Sequence, residues 1–312
     1  MPPKLLVLCG PTASGKTALA VELALSLGGE VVSADSMQIY RGMDIGTAKP
    51  TPAEMRGVPH HMLDVADPAE DYSVARYVAD AAACVDDILA RGGLPIVAGG
   101  TGLYIDNLIA GRDFAPFSGR WRDKLQARAE REGIAALHAE LAAIDPDRAA
   151  RLHPNDEKRI LRALEVWYET GETITAHDAR TRALPHRYDA LRIGLDFSHR
   201  ADLWARIDQR VDQMAAQGLA GEVRALLDAG VPPTCTAMQA IGYKELAAAV
   251  AGRGDLTAAL EEVKLRSRQY AKRQLTWFRR EPSVRWIIWN KIPDLAFARQ
   301  KATAYLEDFG LR

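Results

Sequence analysis

Gly10-Pro11-Thr12-Ala13-Ser14-Gly15-Lys16-Thr17 fits the spacing G-x-x-x-x-G-K-[ST] without a gap. The apolar run Leu5 to Cys9 precedes it and a helical pattern from Ala18 to Leu27 follows, so the motif stands where a phosphate loop must stand, between strand and helix. Gly10 and Gly15 let the backbone turn and bring its N–H groups close to an anion, and the amides and dipole of the following helix favour negative charge there. Lys16 is placed to reach terminal phosphates, and the Thr17 hydroxyl to ligate Mg²⁺. The motif leaves open whose phosphates are held.

Outward from that loop, Glu30 to Ala34 reads as a second buried strand that delivers Asp35-Ser36-Met37-Gln38 to its C-terminal end, the edge where an open α/β sheet binds ligands. Two functional roles compete for Asp35, a ligand of the magnesium ion or a general base acting on an acceptor. A turn or N-cap aspartate is the structural reading. Residues 41–71 are rich in Gly, Pro and Asp and predict a long ordered loop over the site. Within it, His60-His61 lacks the spacing of a zinc pair. Ser73 caps a predicted helix to Arg91, with Asp86 and Asp87 expected on its solvated face.

Leu94 to Ala98 is a third strand, ending in Gly99-Gly100-Thr101-Gly102-Leu103-Tyr104. An ATPase motor places an acid at such a strand end, and here glycines and a threonine stand instead. A GTPase reading also fails, because Asn290-Lys291 continues as Ile292-Pro293 and supplies no aspartate for guanine.

Pro116 and Pro185 bracket a stretch of helical periodicity with no good strand, read as a helical insertion between proline-marked hinges. Its run Lys158-Arg159-Ile160-Leu161-Arg162 puts positions 158, 159 and 162 on one helical face, suited either to solvent or to phosphates. Beyond it, Leu191 to Phe197 predicts a strand and Arg200 to Ala229 one long amphipathic helix carrying Arg206 and Arg210. Gln239-Ala240-Ile241-Gly242-Tyr243-Lys244 opens the next helix. The densest basic stretch then runs through Lys264, Arg266, Arg268, Lys272, Arg273, Arg279 and Arg280, with no acid between them and with Tyr270, Trp277 and Phe278 interleaved. Such a pattern suits backbone neutralisation with stacking on an unpaired base, or a packed helix whose aromatics are core. Val284 to Trp289 closes the sheet and Asp294 to Leu306 is a final helix.

The bulk properties bound these readings. A chain of 312 residues is more than one ordinary core needs, and a net charge of -1 with 26% charged residues makes any nucleic-acid surface local. Cys9, Cys84 and Cys235 are far apart and form no metal-binding pair. With no signal peptide and no membrane-length apolar run, a cytoplasmic protein without membrane contact is expected, and a monomer is the default.

Taken together, Gly10 to Thr17, Asp35 to Pro50, Gly99 to Tyr104, Asn155-Asp156 with Arg159 to Glu165, Gln239 to Glu245 and Ala271 to Trp277 resemble, in order, the signatures of bacterial tRNA dimethylallyltransferases. The resemblance implies an α/β fold with a P-loop NTPase-like, kinase-like parallel sheet core, here residues 1–116 with 186–312. It also implies an inserted all-helical domain, 117–185, that grips the anticodon stem-loop. The reaction implied is transfer of a dimethylallyl group from dimethylallyl diphosphate to N6 of adenosine 37 of tRNA, with Mg²⁺. Asp35 is then the general base, Thr101 orients the amine, and Lys16 with Gly10, Pro11, Thr12, Ala13, Ser14, Gly15 and Thr17 holds the diphosphate. By the same resemblance Arg210 contacts the diphosphate, although sequence alone does not separate it from Arg206.

The implied tRNA contacts are Asp35, Ser36, Met37, Gln38, Thr101, Arg122, Lys158, Arg159, Ile160, Leu161, Arg162, Gln239, Ala240, Ile241, Gly242, Tyr243, Lys244, Lys272, Arg273, Gln274, Leu275, Thr276, Trp277, Phe278 and Arg279. Two departures stand out: no Cys/His set matches the C-terminal zinc finger of eukaryotic relatives, and Lys158 occupies a position where the family pattern has glutamine. The rival reading is a kinase of a small molecule or nucleotide, with ATP on the loop and Asp35 facing a hydroxyl. A nucleotide-switched RNA-binding protein without chemistry is a third reading. The kinase reading leaves the basic aromatic helix and the size of the insertion unexplained.

Overall fold

The computed structural model describes residues 2–115 and 119–311. Its first unit comprises Met1–Gly111 with Arg187–Arg312, and its second Arg112–His186.

In the first unit the strands are β1 (Lys4–Cys9), β2 (Gly29–Ser33), β3 (His60–His61), β4 (Leu94–Gly99), β5 (Asp189–Phe197) and β6 (Arg285–Trp289). Among the described residues they form one six-stranded sheet in the order β3-β2-β4-β1-β5-β6, and every pairing is parallel. Parallel strands require crossovers, supplied here by α1 (Lys16–Leu27), the single-turn α2 (Pro52–Met55), α3 (Val74–Ala90) and α4 (Gly102–Ala110). The remaining helices are α10 (Arg200–Ala216), α11 (Leu219–Asp228), α12 (Tyr243–Val250), α13 (Leu256–Phe278) and α14 (Leu295–Phe309).

β1 reads as a continuous apolar run because both its faces are covered, and Leu5, Leu6, Val7 and Leu8 are fully buried. From β1 the chain crosses to β2 on one side of the sheet, and from β4 it goes on to reach β5 on the other. The topological switch therefore falls between β1 and β4, and their C-terminal ends carry the phosphate loop and Gly100-Thr101. Gly99 is required there: a Cβ would lie 2.2 Å from the Ala34 carbonyl oxygen.

Two expectations about the elements of this unit needed correction. The stretch 41–71 is not all loop, since His60 and His61 pair with Val31 and Val32, and His61 lies 2.7 Å from Glu30. The single helix predicted over 200–229 breaks at Gly218, whose left-handed φ of 100° separates α10 from α11. Asp86 lies on the exposed face expected of it, where it accepts from the Tyr188 hydroxyl (2.7 Å) and pairs with Arg187 (2.5 Å).

The second unit consists of α5 (Arg120–Glu132), α6 (Ile134–Ile144), α7 (Pro146–Arg151), α8 (Glu157–Thr170) and α9 (Ile174–Arg182). Its own core joins Leu125, Leu137, Leu141, Ile160, Leu161 and Leu164, and Trp121 stacks on Tyr168 at 4.7 Å. Ile160 and Leu161 are therefore core side chains rather than RNA contacts, because apolar spacing along α8 turns them inward. Arg122 and Arg162 converge on buried Glu165 at 2.9 and 3.0 Å, and Arg162 also donates to the Ala115 carbonyl. Lys158 and Arg159 remain exposed. Pro116, the expected first hinge, and the boundary beside it lie outside the described residues.

Candidate active site

The phosphate loop takes its shape from left-handed residues: φ is 140° at Gly10, 61° at Ala13 and 90° at Gly15. Gly10 also permits close packing, since a Cβ would come 2.5 Å from the Leu195 carbonyl oxygen. Gly15 directly precedes α1, whose free first-turn amides and positive dipole end face the loop.

Other elements hold the loop in place. Gln274 of α13 accepts from the Thr12 N–H (2.9 Å) and donates to the Gly100 carbonyl (3.0 Å), bridging the ends of β1 and β4. Trp289 of β6 donates to the Ser14 carbonyl at 2.9 Å. From α10, Arg210 donates to the Thr12 hydroxyl (3.4 Å), while Arg206 donates to the Ala13 carbonyl (3.1 Å). Lys16 is folded onto the Pro11 carbonyl at 2.6 Å.

A cavity of about 370 Å³ opens beside the loop, lined by Thr12, Lys16, Thr17, Asp35, Arg210 and Gln274 among others. Burial and the Arg210 charge lower the Lys16 ammonium to about 8, with Asp35 opposing them. Burial likewise lowers Arg210. Two cations desolvated against one carboxylate favour an arriving polyanion. Of the two arginines, Arg210 lines this cavity and Arg206 does not; Arg206 faces an adjoining groove.

Asp35 stands two residues past the end of β2. Its Oδ1 accepts from the Met37 N–H at 2.9 Å, which fixes the carboxylate in a turn. Thr101 faces it across the strand ends: its hydroxyl accepts from the Ser36 N–H (3.2 Å) and contacts the Ser36 hydroxyl (3.4 Å). Gln38 accepts from the Ser33 hydroxyl and donates to the carbonyls of Thr47 and Ala48. The lining of the cavity also includes the apolar side chains Ile207, Val211, Met214, Leu219 and Val263. Anion cradle, fixed carboxylate and apolar wall thus share one cavity, an arrangement suited to a substrate with a phosphorylated end and a hydrocarbon end.

The IPP transferase family matches residues 38–281 of this chain. The tRNA dimethylallyltransferase of Geobacter sulfurreducens is 50% identical over 287 residues, spanning 91% of either chain. That of Desulforudis audaxviator is 48% identical over 288 residues, 92% of each. The chain belongs to the IPP transferase family. Among solved structures, the full-length tRNA isopentenylpyrophosphate transferase of Bacillus halodurans superposes with a TM-score of 0.72 at 41% identity, covering 98% of this chain and 97% of that one. A eukaryotic dimethylallyltransferase described as acting on tRNA gives 0.84 at 30% identity, over 98% of this chain and 79% of that one.

Along α13, helix phase divides the residues. Ala271, Gln274, Leu275 and Phe278 are buried, whereas Lys272, Arg273, Thr276, Trp277 and Arg279 are exposed. Leu275 and Phe278 are thus corrected from RNA contacts to core, because they share the buried stripe. Gln274 is also inward, committed to the phosphate loop and the end of β4. The basic stretch is narrower than its sequence implies, since acids from elsewhere pair with its first half. Lys264 meets Asp212 at 2.7 Å, Arg266 meets Glu262 and Arg268 meets Asp208, both at 2.6 Å. Arg279 pairs with buried Asp196.

Trp277, 40% exposed, donates to Asp106 at 2.8 Å and lies over Gly102, where a Cβ would fall 2.2 Å from its ring. In the 239–244 segment, a 3-10 turn (Ala237–Gln239) comes first and α12 starts only at Tyr243, because Gly242 takes a φ of 100°. Gln239 and Lys244 are exposed, Ile241 lines the cavity, and Ala240 and Tyr243 are buried. Tyr243 is accordingly corrected to core and Ala240 to cavity wall.

Tyr270, read from sequence only as an aromatic interleaved in the basic stretch, lines the cavity one turn before Gln274. Burial pushes its hydroxyl up to about 12. Helical spacing from Gln274 was the available signal.

Proposed function

We propose that this protein transfers the dimethylallyl group of dimethylallyl diphosphate to N6 of adenosine 37 of tRNA, releasing diphosphate. The observation that carries this reading is the shared cavity, which Lys16, Arg210, the Asp35 carboxylate and apolar side chains line together, with the Thr101 hydroxyl bonded to the N–H of lining residue Ser36. Membership of a family whose relatives bear that activity in their names supports it.

The chemistry follows from the residues. The diphosphate lies on the loop amides, with Lys16 and Arg210 offsetting the charge that grows as the C1–O bond breaks and its electron pair leaves with the diphosphate. The allylic carbon accommodates developing positive charge, so departure does not wait for a strong nucleophile. N6 of adenine, a weak nucleophile, forms the new bond to C1 and gives its proton to Asp35. Thr101 orients the amine, its own hydroxyl being held by Ser36. The apolar wall shields the reacting carbon from water.

Mg²⁺ fits this site. Thr17 offers a hard oxygen to the cavity, and among the described residues no group of three His, Cys, Asp or Glu side chains forms a protein cage. An ion held by Thr17 would take its other ligands from phosphate oxygens and water. Bound there, it supplies further positive charge to the leaving group.

On the RNA side, adenosine 37 lies in a loop and can turn out of its stack into the cavity. Exposed Lys272 and Arg273 neutralise backbone charge, and Trp277, held edge-on by Asp106, offers a ring for stacking. Lys158 and Arg159 give residues 117–185 a basic face for the anticodon stem-loop. Among the described residues no helix is long and apolar enough to cross a membrane, in keeping with a cytoplasmic tRNA-modifying enzyme.

The test incubates the protein with labelled dimethylallyl diphosphate, unmodified tRNA and Mg²⁺, beside a parallel tube of ATP. Label in tRNA, absent when position 37 is guanosine, is expected. ATP turnover without label would make the protein a kinase instead. Salt-sensitive RNA binding without either would leave it a binding protein.

A further inference from the structure

Residues 44–48 form part of the cavity wall through Gly46, Thr47 and Ala48, yet they belong to no strand or helix. Ala48 even takes a left-handed φ of 48°, a conformation that persists only when surrounding contacts impose it. Glu222, in the first turn of α11, imposes it from one side. Its carboxylate accepts from three successive backbone N–H groups, those of Asp44 (2.8 Å), Ile45 (2.8 Å) and Gly46 (3.0 Å). The Tyr243 hydroxyl adds a fourth bond at 2.6 Å. Gly46 lies so close to the Tyr243 ring that a Cβ would fall 2.5 Å from it. On the other side of the segment, Gln38 donates to the carbonyls of Thr47 and Ala48 while accepting from Ser33.

We propose that Glu222 is a positioning residue for the acceptor: its carboxylate fixes residues 44–48, and their carbonyls fix Gln38, which stands one turn beyond Asp35. The inference rests on the reading that Asp35 and Gln38 face the tRNA base. A carboxylate is needed because all four partners are donors, and only an acceptor-only group satisfies them together. Glutamine keeps the shape but turns an NH₂ toward two of those donors. The carbonyl positions of Thr47 and Ala48, and with them the Gln38 amide, then lose their reference, while the phosphate loop is untouched.

The experiment compares Glu222→Gln, Tyr243→Phe, Gln38→Ala and the double variant Glu222→Gln/Gln38→Ala, using an anticodon stem-loop and labelled dimethylallyl diphosphate with Mg²⁺. Glu222→Gln is expected to lower kcat/KM for RNA about tenfold while the donor Kd changes less than about twofold. Tyr243→Phe, which removes one of the four bonds, should fall between it and wild type. In the double variant the losses should not multiply, because both changes break one relay. Multiplying losses, or a donor Kd that weakens in parallel with kcat/KM, would mean that Glu222 supports only general stability. Wild-type kinetics in Glu222→Gln would remove the role altogether. A wild-type protein that fails to label RNA would instead overturn the transfer reading, so the two failures are distinguishable.

Discussion

Replacing Asp35 by asparagine tests the base assignment with little disturbance of the fold. The retained oxygen can still accept the Met37 N–H that Oδ1 accepts at 2.9 Å, so the turn that presents the side chain survives. What disappears is the negative charge and the ability to take the N6 proton. Loss of a positioned general base costs roughly 10² to 10⁴ in rate, or about 2.7 to 5.4 kcal/mol of barrier. Donor affinity at neutral pH should change less than about threefold, because two effects oppose each other. Removing the carboxylate lessens repulsion of the diphosphate, but Asp35 also supports the charge on Lys16, whose ammonium sits at about 8. The assay is single-turnover transfer of label at saturating donor and RNA, with both dissociation constants measured separately. A transfer rate within about fivefold of wild type, or a loss explained entirely by weaker RNA binding, would refute the base assignment.

Three other outcomes are expected. Donor affinity should hold from pH 6.5 to about 8 and then fall by up to about tenfold per pH unit, because the free enzyme's Lys16 loses its proton there; a titration of binding flat to pH 9.5 would contradict this. Lys272→Ala should weaken tRNA binding and reduce the slope of log K against log salt by about one, read from binding isotherms at several salt concentrations, whereas an unchanged slope would place that side chain away from phosphates. Glu30, held down to about 2 by Arg91 and His61, contributes stability that is complete above the ordinary carboxylate value near 4.5 and disappears as pH falls toward 2. The Tm difference between wild type and Glu30→Gln should accordingly shrink through that window in acid melts, and a constant difference would dismiss the pairing.

Much of the site was legible before any coordinates because its parts are contiguous. The phosphate loop is one unbroken run whose flanks announce strand and helix, and Asp35 and Thr101 each follow an apolar strand. In a parallel sheet, strand ends meet at one edge, so reading the strands was enough to bring these residues together. What was read less well depended on phase or partners. Leu275 and Phe278 belong to the same basic, aromatic stretch as Trp277, and only packing of α13 against the sheet decides that they turn inward. The first half of that stretch looked uncompensated because its acids Asp208 and Asp212 come from α10, far away in sequence.

By itself, then, the sequence determined the local chemistry: an anion cradle formed by eight adjacent residues, carboxylate and hydroxyl at strand termini, and a near-neutral balance of charge with a local basic region. Those features rest on backbone turns and side-chain periods that span a few residues. Tertiary structure alone decided how the parts are held in register, through Gln274 reaching Thr12 and Gly100 and through Glu222 gathering the amides of 44–46. Such bonds join single polar groups across long separations, leave no periodic trace in the chain, and exist only once the sheet has brought their partners to the same edge.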